Sequence, residues 1–195
     1  RSPQWFEQWR AEHEAARAGV IVMDMSFMAK FLVQGRDAGR ALDWLSANRV
    51  DGDAGMITYT QWLNRFGTLE ADLTVTKLDD ETFWVVASDT AQRHVETHLR
   101  RHFDGHHAFV TDVTGGYAQI NVQGPRSREL MQQVTTSDLS DAAFPFRCAR
   151  EIDVVFARAL CDEMQQMGLS RVTLDQYGYL TACLPGNQPQ APAIG

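Results

Sequence analysis

The sequence lacks any concentration of positive charge. Its 195 residues include 18 Lys and Arg against 25 Asp and Glu, so the formal net charge is -7 and the pI is about 5.3. Proteins that bind a nucleic acid backbone usually carry a run or a surface of basic residues. We therefore expect no nucleic acid partner.

Long apolar runs and paired cysteines are also missing. The most apolar stretches, such as "AGVIVMDM", are far shorter than the roughly 18 residues that a membrane-spanning helix needs. The three cysteines, Cys148, Cys161 and Cys183, have no Cys-x-x-Cys spacing, and their odd number fits reduced thiols in a cytosol-like compartment. We therefore expect a cytoplasmic protein without a membrane span. The chain begins without Met and without a signal-peptide pattern, which suggests a piece of a longer protein.

Apolar periodicity predicts a mixture of helices and strands. Helical spacing is found in residues 3–17, 36–48 and 90–103, and a further helix is predicted to begin near Pro125. Runs typical of strands are "VIVMDMS", "KFLVQG", residues 56–63, 69–78 and 82–87, "HAFVTDV" and "YAQINVQ". Because strands and helices do not alternate regularly, we expect an α+β fold with mainly antiparallel sheets and packed helices.

The run "YTQWLNRFGTLEADL" predicts a β-hairpin with a polar face. If "NRFG" forms the turn, Leu63 faces Thr68, and Tyr59 stands directly opposite Asp72. Trp62 then lies on the other, mostly apolar face, which should meet the core. A phenol and a carboxylate on one polar face can hold a polar ligand, with the carboxylate as base or acceptor. The alternative is that Asp72 is an ordinary exposed residue of a solvated sheet face.

Histidines recur along the helix predicted for residues 90–103. They are His94, His98 and His102 at intervals of four, with His106 and His107 just after. Two imidazoles one helical turn apart can share a metal ion. The interspersed arginines oppose a bound cation, however, and no acid nearby in the sequence completes a site. We therefore expect these histidines to lie on a solvent-exposed side of the helix and to bind no metal.

Several stretches together resemble one protein family. They are "DMSFMAKFLVQG", "ITYTQWLN", "EADLTVTKL", "INVQGPRSRELM" and "FPFRCAREIDV". Their order and spacing, from about Trp5 to about Cys161, are similar to the folate-binding, aminomethyltransferase-like part of sarcosine and dimethylglycine dehydrogenases, which are relatives of the glycine-cleavage T-protein. The resemblance implies a domain that binds tetrahydrofolate and accepts the one-carbon unit released when a flavin domain oxidises an N-methyl amine. The product is then 5,10-methylenetetrahydrofolate.

The resemblance also implies which residues line the folate pocket. The aspartate of the family's "DL" motif, which assists proton removal beside the reacting folate nitrogens, matches Asp72. Met28 and Leu32 match residues of the pocket wall, and Tyr59 lines the same pocket. Thr74 follows two residues after Asp72 along the same strand. Ser88 stands where the T-proteins carry an asparagine, so that polar contact with folate is altered here.

The chain departs from the family after Cys161. The family continues into a "GELGYE"-like motif, whose last glutamate holds the pterin ring, and then into a C-terminal barrel; that glutamate has no counterpart here. No GxGxxG-type segment opens the chain, so FAD is expected only in a domain that this chain lacks. We expect a partial folate-binding domain at residues 1–161, truncated before the barrel, and a divergent, partly disordered tail at 162–195.

Two functions follow from this comparison. The chain is either a one-carbon transfer domain that works with a flavin dehydrogenase domain or subunit, or a truncated, non-catalytic remnant that binds folate or another protein. The sequence does not specify which N-methyl amine the parent enzyme oxidises or the oligomeric state, because both depend on surfaces that these motifs do not describe.

Overall fold

A computed structural model describes residues 3–154, 165, 170–174 and 180–183. Within these residues the helices are α1 (Phe6–Ala18), α2 (Ala38–Leu45), α3 (Gln92–His102) and α4 (Ser127–Gln132). The strands are β1 (Ile21–Asp24), β2 (Ala29–Gln34), β3 (Ile57–Leu63), β4 (Leu69–Lys77), β5 (Thr82–Ala87), β6 (Phe109–Asp112), β7 (Ile120–Gln123), β8 (Ser170–Leu174) and β9 (Leu180–Cys183). Every helix and strand predicted from the sequence is present, with ends that differ by a few residues.

The first of two compact units contains residues 1–127 and 140–151. Its main feature is a five-stranded sheet in the order β3-β4-β5-β2-β6, in which all neighbours are antiparallel. A separate antiparallel pair joins β1 to β7. The predicted α+β fold with mainly antiparallel strands is therefore confirmed.

One face of the five-stranded sheet packs against α2 and α3. The apolar positions predicted for these helices are buried: Ala38, Ala41, Leu42 and Leu45 in or beside α2, and Val95, Leu99 and Phe103 in or beside α3. They meet buried strand residues that include Phe31, Trp62 and Phe83. Full burial of a Leu, Val or Phe side chain contributes about 1.5–3 kcal/mol, so this apolar layer holds the unit together.

A strand-to-helix corner with the sequence "VQG" occurs twice. Both glycines have positive φ, +132° at Gly35 after β2 and +129° at Gly124 after β7. A Cβ at Gly35 would lie 2.2 Å from the carbonyl oxygen of His107, and a Cβ at Gly124 would lie 2.3 Å from that of Gly19. Only glycine fits this backbone conformation and this close approach. The corners direct the chain into α2 and α4.

The second unit contains residues 128–139 and 152–195. Among its described residues, the Thr135 hydroxyl donates a hydrogen bond to the Asp153 carbonyl oxygen at 2.6 Å. Strand β8 pairs antiparallel with β9. These two strands lie in residues 162–195, for which a divergent tail is predicted from the sequence. The strands themselves were not predicted. Residues 184–195, which belong to the tail at 162–195 for which partial disorder is predicted, lie outside the described residues.

No helix in the described part of the chain combines the length and the apolar character that crossing a bilayer requires.

Candidate functional site

The hairpin of β3 and β4 has a tighter turn than the sequence predicted. The Asn64 N–H donates to the Thr68 carbonyl oxygen at 2.9 Å, so Asn64 and Thr68 face each other across a three-residue loop. The Asn64 side-chain oxygen also accepts hydrogen bonds from the N–H groups of Phe66 and Thr68, at 2.9 and 3.2 Å. Gly67 has a φ of +76°, which is typical of the last position of such a loop.

A β-bulge follows immediately in β4. Leu63 pairs with Leu69, whereas the next residue of β3, Trp62, pairs with Ala71. Glu70 is therefore an extra residue without an opposite partner. In a bulge of this kind two consecutive side chains point to the same side of the sheet, which places Glu70 beside Ala71, on the side of α3.

The predicted pairing of Tyr59 with Asp72 is wrong, although both side chains do lie on the same face. Gln61 is directly opposite Asp72, and Tyr59 is opposite Thr74. The shorter loop and the bulge each displace the register by one residue, and the two displacements add up to two. Because side chains alternate with a period of two, a shift of two residues restores the predicted faces.

Asp72 is exposed on the sheet face that points away from α2 and α3. The Gln61 side-chain amide donates a hydrogen bond to its Oδ1 at 3.3 Å. A hydrogen bond from the Tyr59 hydroxyl to Asp72 raises the pKa of Tyr59, and burial and the negative charge of Asp72 act in the same direction. The Tyr59 ring is 52% exposed. Asp72 thus has two polar neighbours and remains accessible to a ligand.

Two further predicted pocket residues lie on the same face of the sheet as Tyr59 and Asp72. Thr74 pairs with Tyr59 on one side and with Val86 on the other, and Leu32 pairs with Trp84, the next residue of β5 on that face. Met28 and Ser88 lie just outside the paired strands, immediately before β2 and immediately after β5. The strand register therefore brings together four of the six predicted residues.

Ser88 is already engaged within its own loop. Its hydroxyl donates to Asp89 Oδ1 at 3.2 Å and lies 2.9 Å from the Thr90 hydroxyl. Met28 and Leu32 are half-buried, and Thr74 is half-buried between two strands. The face therefore combines an exposed acceptor, Asp72, with a partly apolar floor.

Two residues of this face were missed by the sequence analysis. Lys30 is only 1% exposed although it belongs to the face by register, and its Nζ donates to the carbonyl oxygens of Ser26 and Met28 at 2.8 and 2.7 Å. A lysine directly before the apolar residues of "KFLVQG" is the signal that could have identified it. Tyr117 contacts the ring of Trp84 edge to face at 4.8 Å between centroids, and nothing in the local sequence indicates this contact.

Comparison with known proteins identifies the family of most of this chain. The sequence model of the GCVT N-terminal domain matches residues 1–165. The 4-methylaminobutanoate oxidase (formaldehyde-forming) of Paenarthrobacter nicotinovorans is 36% identical over 152 residues, which are 78% of this chain and 18% of that protein. Human mitochondrial sarcosine dehydrogenase is 30% identical over 159 residues, which are 74% of this chain and 17% of that protein.

A second kind of relative matches a shorter part of the chain. Peptidase T of Aeromonas hydrophila is 71% identical over 65 residues, which are 33% of this chain and 16% of that protein. The chain therefore spans less than a fifth of the length of each of these curated relatives. The matched 16% of peptidase T is too small a part to indicate a peptidase site.

Among solved structures, the aminomethyltransferase T of the glycine cleavage system from Bartonella henselae has a TM-score of 0.59 at 22% identity. The match covers 63% of this chain and 34% of that chain. At this level of identity the likeness establishes the fold, and it agrees with the T-protein-like architecture that the sequence predicted.

Proposed function

The chain belongs to the GCVT N-terminal domain family, and from this membership we propose that it binds tetrahydrofolate and accepts a one-carbon unit, giving 5,10-methylenetetrahydrofolate. The one-carbon unit comes from an N-methyl amine oxidised by a flavin domain or subunit. The observation that carries the proposal is the exposed Asp72 carboxylate, which shares an open sheet face with Tyr59 and Thr74.

The names of the relatives support the origin of the one-carbon unit. One relative acts on sarcosine and another on 4-methylaminobutanoate, both of which are N-methyl amines, and the second is described as formaldehyde-forming. Formaldehyde is the one-carbon unit at the oxidation level of a methylene group. We propose that FAD is bound by a flavin dehydrogenase domain or subunit that works with this chain.

The residues on the face suit a flat, polar ligand. Tetrahydrofolate, when bound, supplies the ring nitrogens that carry the one-carbon unit. Leu32 and Trp84 offer an apolar surface against which a ring can lie, and Tyr59 provides an exposed aromatic wall. Asp72 can accept hydrogen bonds from N–H groups along a ring edge, because its carboxylate is exposed on this face.

Asp72 is the residue that we propose as the proton acceptor. The Gln61 side-chain amide donates to one carboxylate oxygen at 3.3 Å, and Asp72 is near enough to the Tyr59 hydroxyl to raise the pKa of Tyr59. Gln61 thus orients the carboxylate while a face remains accessible, so Asp72 can take up a proton at a carboxylate oxygen. Tyr59 remains protonated at neutral pH, because its pKa is raised from an already high ordinary value.

The missing pterin glutamate should weaken binding. A buried polar group that loses a charged partner costs on the order of 1–3 kcal/mol. Since about 1.4 kcal/mol corresponds to a factor of ten, we expect at least a tenfold lower affinity for tetrahydrofolate than in a relative that retains the glutamate. A non-catalytic remnant that retains this weak site is the alternative function.

Calorimetric titration of the full chain with tetrahydrofolate tests the proposal. We expect weak binding that Asp72→Asn and Tyr59→Ala each weaken further, whereas Trp44→Ala, on the opposite side of the sheet, leaves it unchanged. Absence of binding at millimolar tetrahydrofolate would contradict the proposal. To separate transfer from binding, 5,10-methylenetetrahydrofolate formation is measured with a flavin dehydrogenase subunit of a relative, at tetrahydrofolate concentrations that saturate both the original chain and Asp72→Asn. Loss of product in Asp72→Asn then supports catalysis, and unchanged product supports the remnant.

The division of the chain into residues 1–161 and 162–195 also stays a proposal. The match to two unrelated kinds of protein supports a chain composed of segments of different origin. Sequencing the flanking DNA tests this: a "GELGYE" segment in another frame downstream of an in-frame upstream flavin domain would mark a broken reading frame of one origin, and its absence there would support two origins.

A further inference from the structure

A second polar cluster lies on the opposite side of the five-stranded sheet from Asp72. Glu70, the extra residue of the bulge in β4, reaches α3, where its Oε2 lies 2.8 Å from His94 Nε2. His98, one helical turn further along α3, completes the group. One ligand atom from each of the three residues lies within 4.8 Å of the others.

The structure brings to these histidines an acid that the sequence analysis did not identify. The acid is 24 residues away in the sequence, and only the bulge turns it towards α3. His98 is half-buried, and its ring stacks on the buried ring of Trp62 at 5.5 Å between centroids and 22° between planes. The ring of His102 lies 4.2 Å from that of His98, and His102 Nδ1 donates to the His98 carbonyl oxygen at 2.8 Å. His98 is therefore held in place from two sides.

The three side chains line a cavity of about 670 Å³. Trp44 and Phe66 contribute to its apolar walls, and Arg101 contributes a positive charge. A metal ion held by three protein ligands at the wall of such a cavity keeps at least one coordination position open to solvent or to a small ligand.

We propose that Glu70, His94 and His98 bind a divalent transition-metal ion, with zinc as the best match. Two imidazoles and one carboxylate are ligands that zinc commonly takes in proteins. Zinc–ligand bonds of about 2.0–2.2 Å in a tetrahedral arrangement separate the ligand atoms by about 3.3 Å. The present separations, from 2.8 Å to within 4.8 Å, bracket that value, so small side-chain rotations suffice.

The nearby arginines do not prevent binding. Arg100 is paired with Glu96 at 2.8 Å, so its charge is largely compensated. Arg101 is exposed, and solvent and salt screen an exposed charge at the distance of a cavity wall. The carboxylate of Glu70 also offsets one charge of the ion directly.

Titration of the full chain with zinc chloride, followed by calorimetry, tests this site. We expect one zinc ion per chain, and we expect Glu70→Gln and His94→Gln each to weaken the affinity at least tenfold. His94 is exposed and the Glu70 side chain is 22% exposed, and both substitutions keep a similar side-chain size, so these variants should fold, which far-UV circular dichroism checks. His106→Gln, which removes an exposed histidine outside the cluster, is the matched control and should bind zinc like the original chain.

Cobalt provides a second measurement at the same site. Co²⁺ in a four-coordinate site with nitrogen and oxygen ligands absorbs visible light more strongly than the hydrated ion, and zinc should displace it. The proposal fails if zinc does not bind at millimolar concentration, or if Glu70→Gln binds as tightly as the original chain. Asp72→Asn should not change zinc binding, so the outcome is independent of the proposed folate site.

Discussion

Gln61 stands directly opposite Asp72 and donates a hydrogen bond to its carboxylate at 3.3 Å, while Tyr59 lies two residues along β3 and meets Asp72 across a diagonal. The arrangement gives Asp72 two polar neighbours on one sheet face. The arrangement depends on the register of β3 against β4, which the three-residue loop and the bulge set. Chemical cross-linking can test that register.

Engineered disulfides should distinguish the observed register from a direct pairing of Tyr59 with Asp72. Directly opposite Cα atoms are about 4.5–5.5 Å apart, within the range for a disulfide, whereas diagonal Cα atoms are about 7–8 Å apart. With the native cysteines replaced by serine, Gln61→Cys with Asp72→Cys should therefore oxidise to a disulfide. Tyr59→Cys with Asp72→Cys should remain reduced under the same conditions. Mass spectrometry after thiol alkylation measures both, and the reverse pattern would rule out the register.

The pKa of Tyr59 should respond to its two neighbours in opposite directions. The Asp72 carboxylate accepts a hydrogen bond from the neutral phenol and repels the phenolate, so Asp72→Ala should lower the pKa of Tyr59 towards 10.0. Gln61 lowers the same pKa through its hydrogen bond, so Gln61→Leu should raise it. NMR titration of chains labelled at tyrosine Cζ, with Tyr59→Phe for assignment, gives both values. A shift of the same sign in the two variants would contradict the geometry.

Alanine at Gly35 should be much more harmful than alanine at Gly67. Both glycines have positive φ, which costs an alanine about 1–2 kcal/mol. At Gly67 the new Cβ meets no atom within 4 Å, whereas at Gly35 it lies 2.2 Å from the His107 carbonyl oxygen. Urea unfolding should therefore show a loss of about 1–2 kcal/mol for Gly67→Ala and a clearly larger loss for Gly35→Ala. Equal losses would show that the backbone near Gly35 shifts at little cost to make room for the added Cβ.

Two tryptophans should differ sharply in their importance for stability. Trp62 is fully buried, and its indole N–H donates to the Ser46 hydroxyl at 3.1 Å, so Trp62→Ala should cost about 3–5 kcal/mol. Trp44 is 75% exposed, so Trp44→Ala should change the free energy of unfolding by no more than about 0.5 kcal/mol. Thermal or urea unfolding provides the comparison. A small loss in Trp62→Ala would mean that Trp62 is not part of the core.

The elements of the fold were predictable because each depends on local periodicity. Ala38, Ala41, Leu42 and Leu45 recur at helical spacing, and their burial follows once α2 meets the sheet. The face of Asp72 was also predicted, because alternation in β4 depends only on which residues are apolar. These features need no knowledge of distant contacts.

The register and the second cluster could not be derived in the same way. The loop length depends on Asn64, whose side chain satisfies two backbone N–H groups and closes a shorter turn. The bulge at Glu70 has no glycine or proline to mark it. The contact of Glu70 with His94 joins residues 24 positions apart and exists only because of that bulge.

The bulge also affects how related sequences are compared. Consider a relative that has one residue fewer between the turn and the aspartate equivalent to Asp72. Its side chains would alternate between the two faces along the whole of that strand, without a bulge. An acid two positions before the aspartate would then share its face, and the histidines on α3 would face no carboxylate. A single alignment gap at this point would therefore separate chains that have the proposed cation site from chains that lack it.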